Sequence, residues 1–488
     1  MTSTQGNINR WRAFALLAVS YFMTVVDFTI VNVSLPTIGR DLHLSATGLQ
    51  WVVTAYGLTL GGFLLFGGRA ADLLGRRRIL MLGLALFTTA SLACALATTD
   101  VVLIASRAVQ GLGGAIMLPA ALSIVMNMFE EGPERNRALG IWGGLGATAG
   151  TTGLITGGIL TKYAGWQSIF YLNVPIGIAA LALAPRIVPE SRLAASRRRF
   201  DLTGAIAGTG GLVLLVYAIS QAPQYGWGAT RTIATLAASI AVLITFLVIE
   251  SRVEDPLLPP SIFRLRTLAS GNVAGLLLGG SFFAFVFTGT LYMQEVLHYS
   301  ALQTGAAWAV ASVTSMALAG VSQLLVTRIG PRIVMSIGMT LIGSGIIWAT
   351  QVPVHGHFLA NLAGPFLIAG AGTAFSFIPI SVAALTGVPE RQSGLASGLL
   401  NTSTQIGGAI GTAIASSVAA SGAGALLHAG DAMPTALTGG FHQTFLVLGV
   451  IALSAPPTVL VLGRRARSQE VAAPSASNAA QGALATAN

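Results

Sequence analysis

Long runs of apolar residues, each closed by a short polar or basic stretch, repeat along the whole chain. Crossing a bilayer as a helix takes about 20 mostly apolar residues. By that criterion the pattern predicts fourteen spans, at 13–36, 49–71, 79–98, 101–127, 137–161, 167–185, 202–222, 231–250, 269–293, 302–326, 333–353, 358–387, 395–420 and 441–463. The connections are short except at 186–201 and 251–268, which bracket the seventh and eighth spans. Setting that pair aside leaves six spans on each side. The expected organisation is an N-terminal cytoplasmic segment (1–12), a six-helix bundle (13–185), linkers carrying two extra helices (186–268), a second six-helix bundle (269–463) and a disordered tail (464–488). Corresponding turns in the two halves share a glycine and arginines: GGRAADLLGRRRIL after the second span and VTRIGPRIVM in the later half. Transporters show internal repetition of this kind, with the substrate site near the midplane between repeats.

Composition agrees. Of 488 residues 53% are hydrophobic and 9% charged, against roughly 25% charged in soluble domains. The net charge of +10 raises nucleic acid as a partner, but the basic residues are spread among short loops rather than gathered in one patch, so none is expected. They follow the positive-inside rule instead. With the N-terminus inside, only Arg40, Lys162 and Arg231 of the 26 Lys and Arg fall outside, and Arg107 lies within a span. The sequence therefore predicts a multi-pass protein of the cytoplasmic membrane with both termini cytoplasmic, acting as a monomer in the bilayer. The lone Cys94 allows no intramolecular disulfide. The six histidines are placed in outer loops, so no metal site is expected, and no cofactor. The only lysine, Lys162, follows Thr161, which rules out a phosphate-binding Gly-Lys loop and ATP-driven pumping by this chain alone.

Against this background one residue stands out. Asp27, in VVDFTIVNVSLP, sits near the middle of the first span. A centred carboxylate costs about 2.5–3.5 kcal/mol on insertion scales and marks a functional position with a partner to be found; a structural hydrogen bond to a neighbouring helix is the alternative. Arg107 in the fourth span lies roughly 9 Å below the outer edge and Asp27 roughly 12–13 Å, by the 1.5 Å rise of a helix. The two charges can meet, with Gln110 three residues from Arg107 on the same face. Arg107 snorkelling outward is the competing expectation. A second group, Gly68, Asp72, Gly75, Arg76 and Arg77, occupies the tight turn after the second span, where an acid beside guanidiniums can latch one conformation. In the fifth span Gly153 and Gly157 are spaced for close helix packing. Trp166 suits a membrane interface, and Asn173 with Pro175 marks a kink in the sixth span. Candidate cavity residues for a flat organic molecule are Tyr56, Gln110, Phe283, Phe287, Asn401 and Gln405.

These segments together resemble the major facilitator superfamily, and within it the fourteen-span drug:proton antiporters of the QacA and EmrB type. The resemblance rests on VVDFTIVNVSLP, WVVTAYGLTL, GGRAADLLGRRRIL, RAVQGLGGA, GWQSIFYLNVPIG and SGLASGLLNTSTQIGGAIG. It implies an all-α fold of two six-helix bundles with the extra pair packed outside them. It also implies export of organic, often hydrophobic or cationic, compounds by alternating access, driven by the proton gradient, with Asp27 and Arg107 in proton coupling and the glycine-rich turn as a gate. The family's fifth-span antiporter motif matches Gly153, Gly157 and Gly158, but Leu154 stands where that motif carries proline. That departure leaves uptake of a metabolite open beside efflux. A receptor or scaffold that moves nothing is the reading from another class; it has no use for a titratable group at Asp27.

Overall fold

A computed structural model describes residues 2–129, 133–191, 202–253, 256, 266–385 and 393–472. The helices in order are α1 (Thr2–Asp41), α2 (Ala46–Leu74), α3 (Arg76–Ala95), α4 (Asp100–Met128), α5 (Pro133–Ala164), α6 (Ser168–Tyr171), α7 (Asn173–Ile187), α8 (Leu202–Tyr225), α9 (Thr230–Arg252), α10 (Arg266–Leu291), α11 (Ala301–Ile329), α12 (Pro331–Trp348), α13 (Ala363–Leu385), α14 (Ser393–His428) and α15 (Met433–Ala472). Among the described residues 13 helical stretches are long and apolar enough to cross a membrane. The remaining expected span, at 137–161, lies within the 32-residue α5.

Local chemistry fixes where many helices begin and end. Ser45 and Thr99 accept hydrogen bonds from the Gly48 and Val102 amides at the starts of α2 and α4. Ser300 and Gln303 form a reciprocal capping box at the start of α11. The tight turns α2–α3 and α11–α12 each pass through a glycine at positive φ, Gly75 at 106° and Gly330 at 86°. Glycine populates that region without the Cβ penalty other residues meet, so the two turns matched in sequence are also alike in backbone. The sixth span is interrupted between α6 and α7. Pro175 has no N–H to offer the Tyr171 carbonyl four residues back.

Several expectations need correction. The N-terminal residues expected to precede the first span are part of α1, which starts at Thr2, and residues 464–472 of the expected disordered tail continue α15. No proline interrupts either extension, and leaving the apolar zone does not by itself end a helix. Residues 473–488 lie outside those described. Trp166, expected at a membrane interface, is buried within the protein, its indole N–H donating to Asp41 Oδ2 at the end of α1 at 2.8 Å. His442 lies in α15, within 2.6 Å of the Val352 carbonyl, and not in a loop.

The fold is two six-helix bundles, α1–α7 and α10–α15, with α8 and α9 added outside them. Glycines permit the closest crossings. A Cβ on Gly83 or Gly113 would strike the facing backbone between α3 and α4, and one on Gly338 or Gly372 would do so between α12 and α13. The extra pair is attached through α8. Gln50 Nε2 donates to Ser220 Oγ at 2.6 Å, and Gly62 of α2 lies tight against Thr209. Val216 and Ile219 of α8 pack with Leu58 of α2 and with Ala409 and Ala413 of α14. α8 therefore touches both bundles. α9 lies farther out, with Ile233, Ile240, Ile244 and Leu247 all more than half exposed.

Candidate functional site: a buried carboxylate–guanidinium cluster

Asp27 and Arg107 do meet. Both side chains are fully buried, and Arg107 Nη1 donates to Asp27 Oδ2 at 2.5 Å. Arg107 Nη1 also donates to Gln110 Oε1 at 2.7 Å, and Nε donates to the Val52 carbonyl at 3.1 Å. The other carboxylate oxygen, Oδ1, accepts from Gln110 Nε2 at 2.9 Å and from Asn173 Nδ2 at 2.7 Å. Both amides donate again to Ser91 Oγ, at 3.1 and 3.0 Å, and the Ser91 hydroxyl in turn donates a hydrogen bond to the Phe170 carbonyl at 3.1 Å. Tyr56 lies under the guanidinium, 4.2 Å from ring centroid to Cζ, with its hydroxyl on the Thr24 carbonyl. Arg107 Nη2 finds no partner among the described residues. Snorkelling is thus excluded by the geometry.

Five helices build the cluster, all from the first bundle: Asp27 comes from α1, Tyr56 and Val52 from α2, Ser91 from α3, Arg107 and Gln110 from α4, and Asn173 from the first turn of α7. The i, i+3 spacing puts Arg107 and Gln110 on one face of α4. Gly111 and Gly114, beside them, let α2 approach closely enough for Tyr56 to cover the guanidinium. A paired charge in a low-dielectric interior is tolerable only when its remaining donors and acceptors are also satisfied. Here the carboxylate has three donors. Such a site can hold or release a proton once one donor is displaced, because each bond to the ionised form weights that form.

The turn after the second span forms a separate assembly. Gly68 faces Pro119 of α4, where a Cβ would sit 3.4 Å from the proline ring. The Asp72 side chain lies outside the described residues. The acid that the structure does bring to this turn is Glu190, just beyond α7. Its Oε1 accepts from the Arg77 amide at 3.1 Å, at the N-terminus of α3, and its Oε2 lies 3.7 Å from Arg77 Nε and 3.9 Å from Arg78 Nε. Arg76 is buried, and its amide donates to the Ser191 carbonyl at 2.9 Å. Arg77 Nη1 donates to the Pro185 and Val188 carbonyls. A Cβ on Gly75 would stand 2.9 Å from Glu190 Oε1, so the glycine also makes room for this strap.

Between the bundles the candidate cavity residues separate. Tyr56 and Phe287 are fully buried in packing and do not line open space; Phe287 packs with Val26 and Ile30 of α1. Gln110 belongs to the charged cluster. Phe283 is half-buried and meets Phe28 edge-on at 4.9 Å. Gln405 is half-buried against Gly61 of α2, beside Thr402, whose hydroxyl donates to the Gly61 carbonyl at 3.0 Å. Asn401 is exposed and bonds its own helix at Ser397. A chain of rings crosses the seam, Phe377 to Phe282 (6.1 Å), Phe283 (6.0 Å), Phe28 and Tyr56 (5.9 Å), ending on Arg107. At the end away from the arginine-rich loops, Gly158 of α5 packs on the Ala301 carbonyl and Gly305 of α11 on the Leu154 carbonyl, while Gln294 donates to the Val33 carbonyl at 2.7 Å. Gly153 and Gly157 face α1 instead, against Thr29 and Ile30.

A family profile described as Major Facilitator Superfamily matches residues 17–412. The chain belongs to the major facilitator superfamily. Among similar proteins of this superfamily, the cephamycin export protein CmcT of Amycolatopsis lactamdurans is 36% identical over 460 residues, covering 93% of each chain. The puromycin resistance protein pur8 of Streptomyces alboniger is 34% identical, over 91% of this chain and 90% of its own. The tetracenomycin C resistance and export protein of Streptomyces glaucescens is 32% identical over 82% and 74% of the two chains. Of solved structures, the transporter PepTSo of the POT family superposes with a TM-score of 0.69 over 94% of this chain and 99% of that one, at 14% identity. That likeness is one of fold.

Proposed function

We propose that this member of the superfamily is a proton-coupled efflux antiporter for antibiotics or other organic compounds, working in the cytoplasmic membrane with both termini and the arginine-rich loops inside. The export and resistance named for its relatives support the direction and the substrate class. The observation that carries the coupling is the fully buried Asp27, held by Arg107, Gln110 and Asn173. An anion so placed exchanges its proton only when the surrounding donors move, which ties proton transfer to a change of conformation. The rings packed in series from Phe377 to Tyr56 end on the same guanidinium, so a flat organic molecule that parts them acts on the charge environment the proton also uses.

No cofactor is required on this reading. At 100 mV one charge supplies about 2.3 kcal/mol and one pH unit about 1.4 kcal/mol, enough for roughly a 500-fold gradient of a neutral solute per proton. In everted vesicles, addition of an exported compound is expected to release protons from the lumen. Asp27→Asn, made at wild-type levels, is expected to abolish that release and active export. Substrate-dependent proton movement of the opposite sign would assign the chain to uptake, and undiminished export by the variant would remove Asp27 from the mechanism.

A further inference from the structure

The junction where α8 joins the first bundle leaves a groove of about 430 Å³, within the roughly 300–1,000 Å³ of ligand sites. It is lined by Trp51 and Leu58 of α2, Ile104 and Ala108 of α4, and Val213 and Tyr217 of α8. Its walls are almost wholly apolar. They are also firmly set, because α8 is pinned to α2 by the buried Gln50–Ser220 bond on one side and by the Gly62–Thr209 contact on the other. The groove is distinct from the Asp27 cluster and serves no step of the proposed exchange.

What borders it identifies an occupant. Tyr217, on the groove wall, accepts a hydrogen bond from Arg231 Nη2 at 3.0 Å. Arg231 is exposed at the first turn of α9 and lies over the Tyr225 ring, 4.3 Å from Cζ to centroid. Tyr225 and Trp227, in and beside the α8–α9 turn, are 41% and 54% exposed. Tyrosine and tryptophan gather at the level of lipid headgroups, and a guanidinium matches a phosphate with several parallel donors. An apolar trough running down from an aromatic rim that carries a cation has the two-part chemistry of a phospholipid. A free phosphate would have no use for the trough, and a neutral hydrocarbon none for the arginine.

We propose that this groove holds one anionic phospholipid of the leaflet opposite the arginine-rich loops, with an acyl chain between α2, α4 and α8 and its phosphate on Arg231. The lipid completes the packing of the added helix pair against the first bundle.

Trp51 reports occupancy directly. The protein is reconstituted in phosphatidylcholine vesicles with increasing fractions of either phosphatidylglycerol or phosphatidylcholine brominated on the acyl chains. The Trp51 contribution is isolated by subtracting the signal of Trp51→Phe. Quenching is expected to saturate at about a fivefold lower fraction of the anionic lipid, the preference one basic side chain confers near a membrane surface. Arg231→Gln, an exposed change checked by an unaltered melting curve, is expected to bring the two curves together. Identical curves for both lipids in the unmodified protein overturn the proposal. So does quenching that an exported compound relieves while Arg231→Gln has no effect, since the groove would then belong to transported molecules.

Discussion

Replacing Arg107 by glutamine removes the ion pair with Asp27, the bond to Gln110 Oε1 and the bond to the Val52 carbonyl in one step. It leaves a buried carboxylate with two amide donors and no countercharge. Stranding one member of a buried pair costs about 3–5 kcal/mol, and Asp27→Asn, which strands the guanidinium over Tyr56, belongs to the same range. The double substitution strands neither charge. It is expected to be less destabilising than the sum of the single changes by about 2–3 kcal/mol, the upper part of the range for residues in direct contact. Unfolding of the purified protein in mixed micelles with increasing denaturing detergent, followed by circular dichroism on all four proteins, gives the cycle. Additivity within about 0.5 kcal/mol would mean that the two side chains do not depend on each other, and the cluster would lose its standing as a single unit.

Gly305→Val places a side chain against the Leu154 carbonyl and is expected to cost about 1–3 kcal/mol by overpacking while prising α11 from α5; a cysteine at Leu302, on a background whose lone Cys94 is buried, should then react faster with a maleimide, and an unchanged rate would dissociate this contact from closure of the seam. Glu190→Gln keeps an oxygen for the Arg77 amide but removes the charge beside Arg77 and Arg78. Because the ion pairs are long and partly exposed, stability should change by less than about 1 kcal/mol, and a fall in transport at unchanged expression is the outcome that would assign the strap a part in gating.

The share of this architecture legible in the sequence follows from what each kind of residue costs in a membrane. Asp27 and Arg107 declared themselves because charge inside an apolar run is expensive and their depths matched. The glycines at 75 and 330 were legible as tight turns for an equally local reason. Asn173 was readable only as a mark of the interruption in the sixth span. Its partner Asp27 lies 146 positions away, and an amide beside a proline carries no sign of what it will bond. Glu190 was missed on similar grounds: it meets Arg77 from 113 positions along the chain, in a linker with no periodicity to orient it. The aromatics of α10 were ambiguous in a different way. In a bilayer both lipid and protein interior accept a phenyl ring, so hydropathy could not tell Phe287, which is buried, from Phe283, which is half-exposed to the seam.

The distribution of the cluster has a consequence for how the two halves communicate. Every hydrogen-bonding group around Asp27 belongs to the first bundle, so nothing in the second bundle touches the carboxylate directly among the described contacts. Yet α1 reaches both. Residue 27 points into the cluster, while its neighbour Phe28, about 100° further round the helix at 3.6 residues per turn, meets Phe283 of α10. Within the same turn Thr29 and Ile30 bed into Gly153 and Gly157 of α5, and between one and two turns on the Val33 carbonyl takes the Gln294 amide. Helix α5 in turn meets α11 through Gly158 and Leu154. A rocking of one bundle on the other that breaks the contacts at Gln294 and Gly305 therefore pulls on α1 and α5 together. If exchange runs as proposed, the proton site senses the second bundle through the position of α1. The small residues on α5 keep that helix close enough to carry the movement.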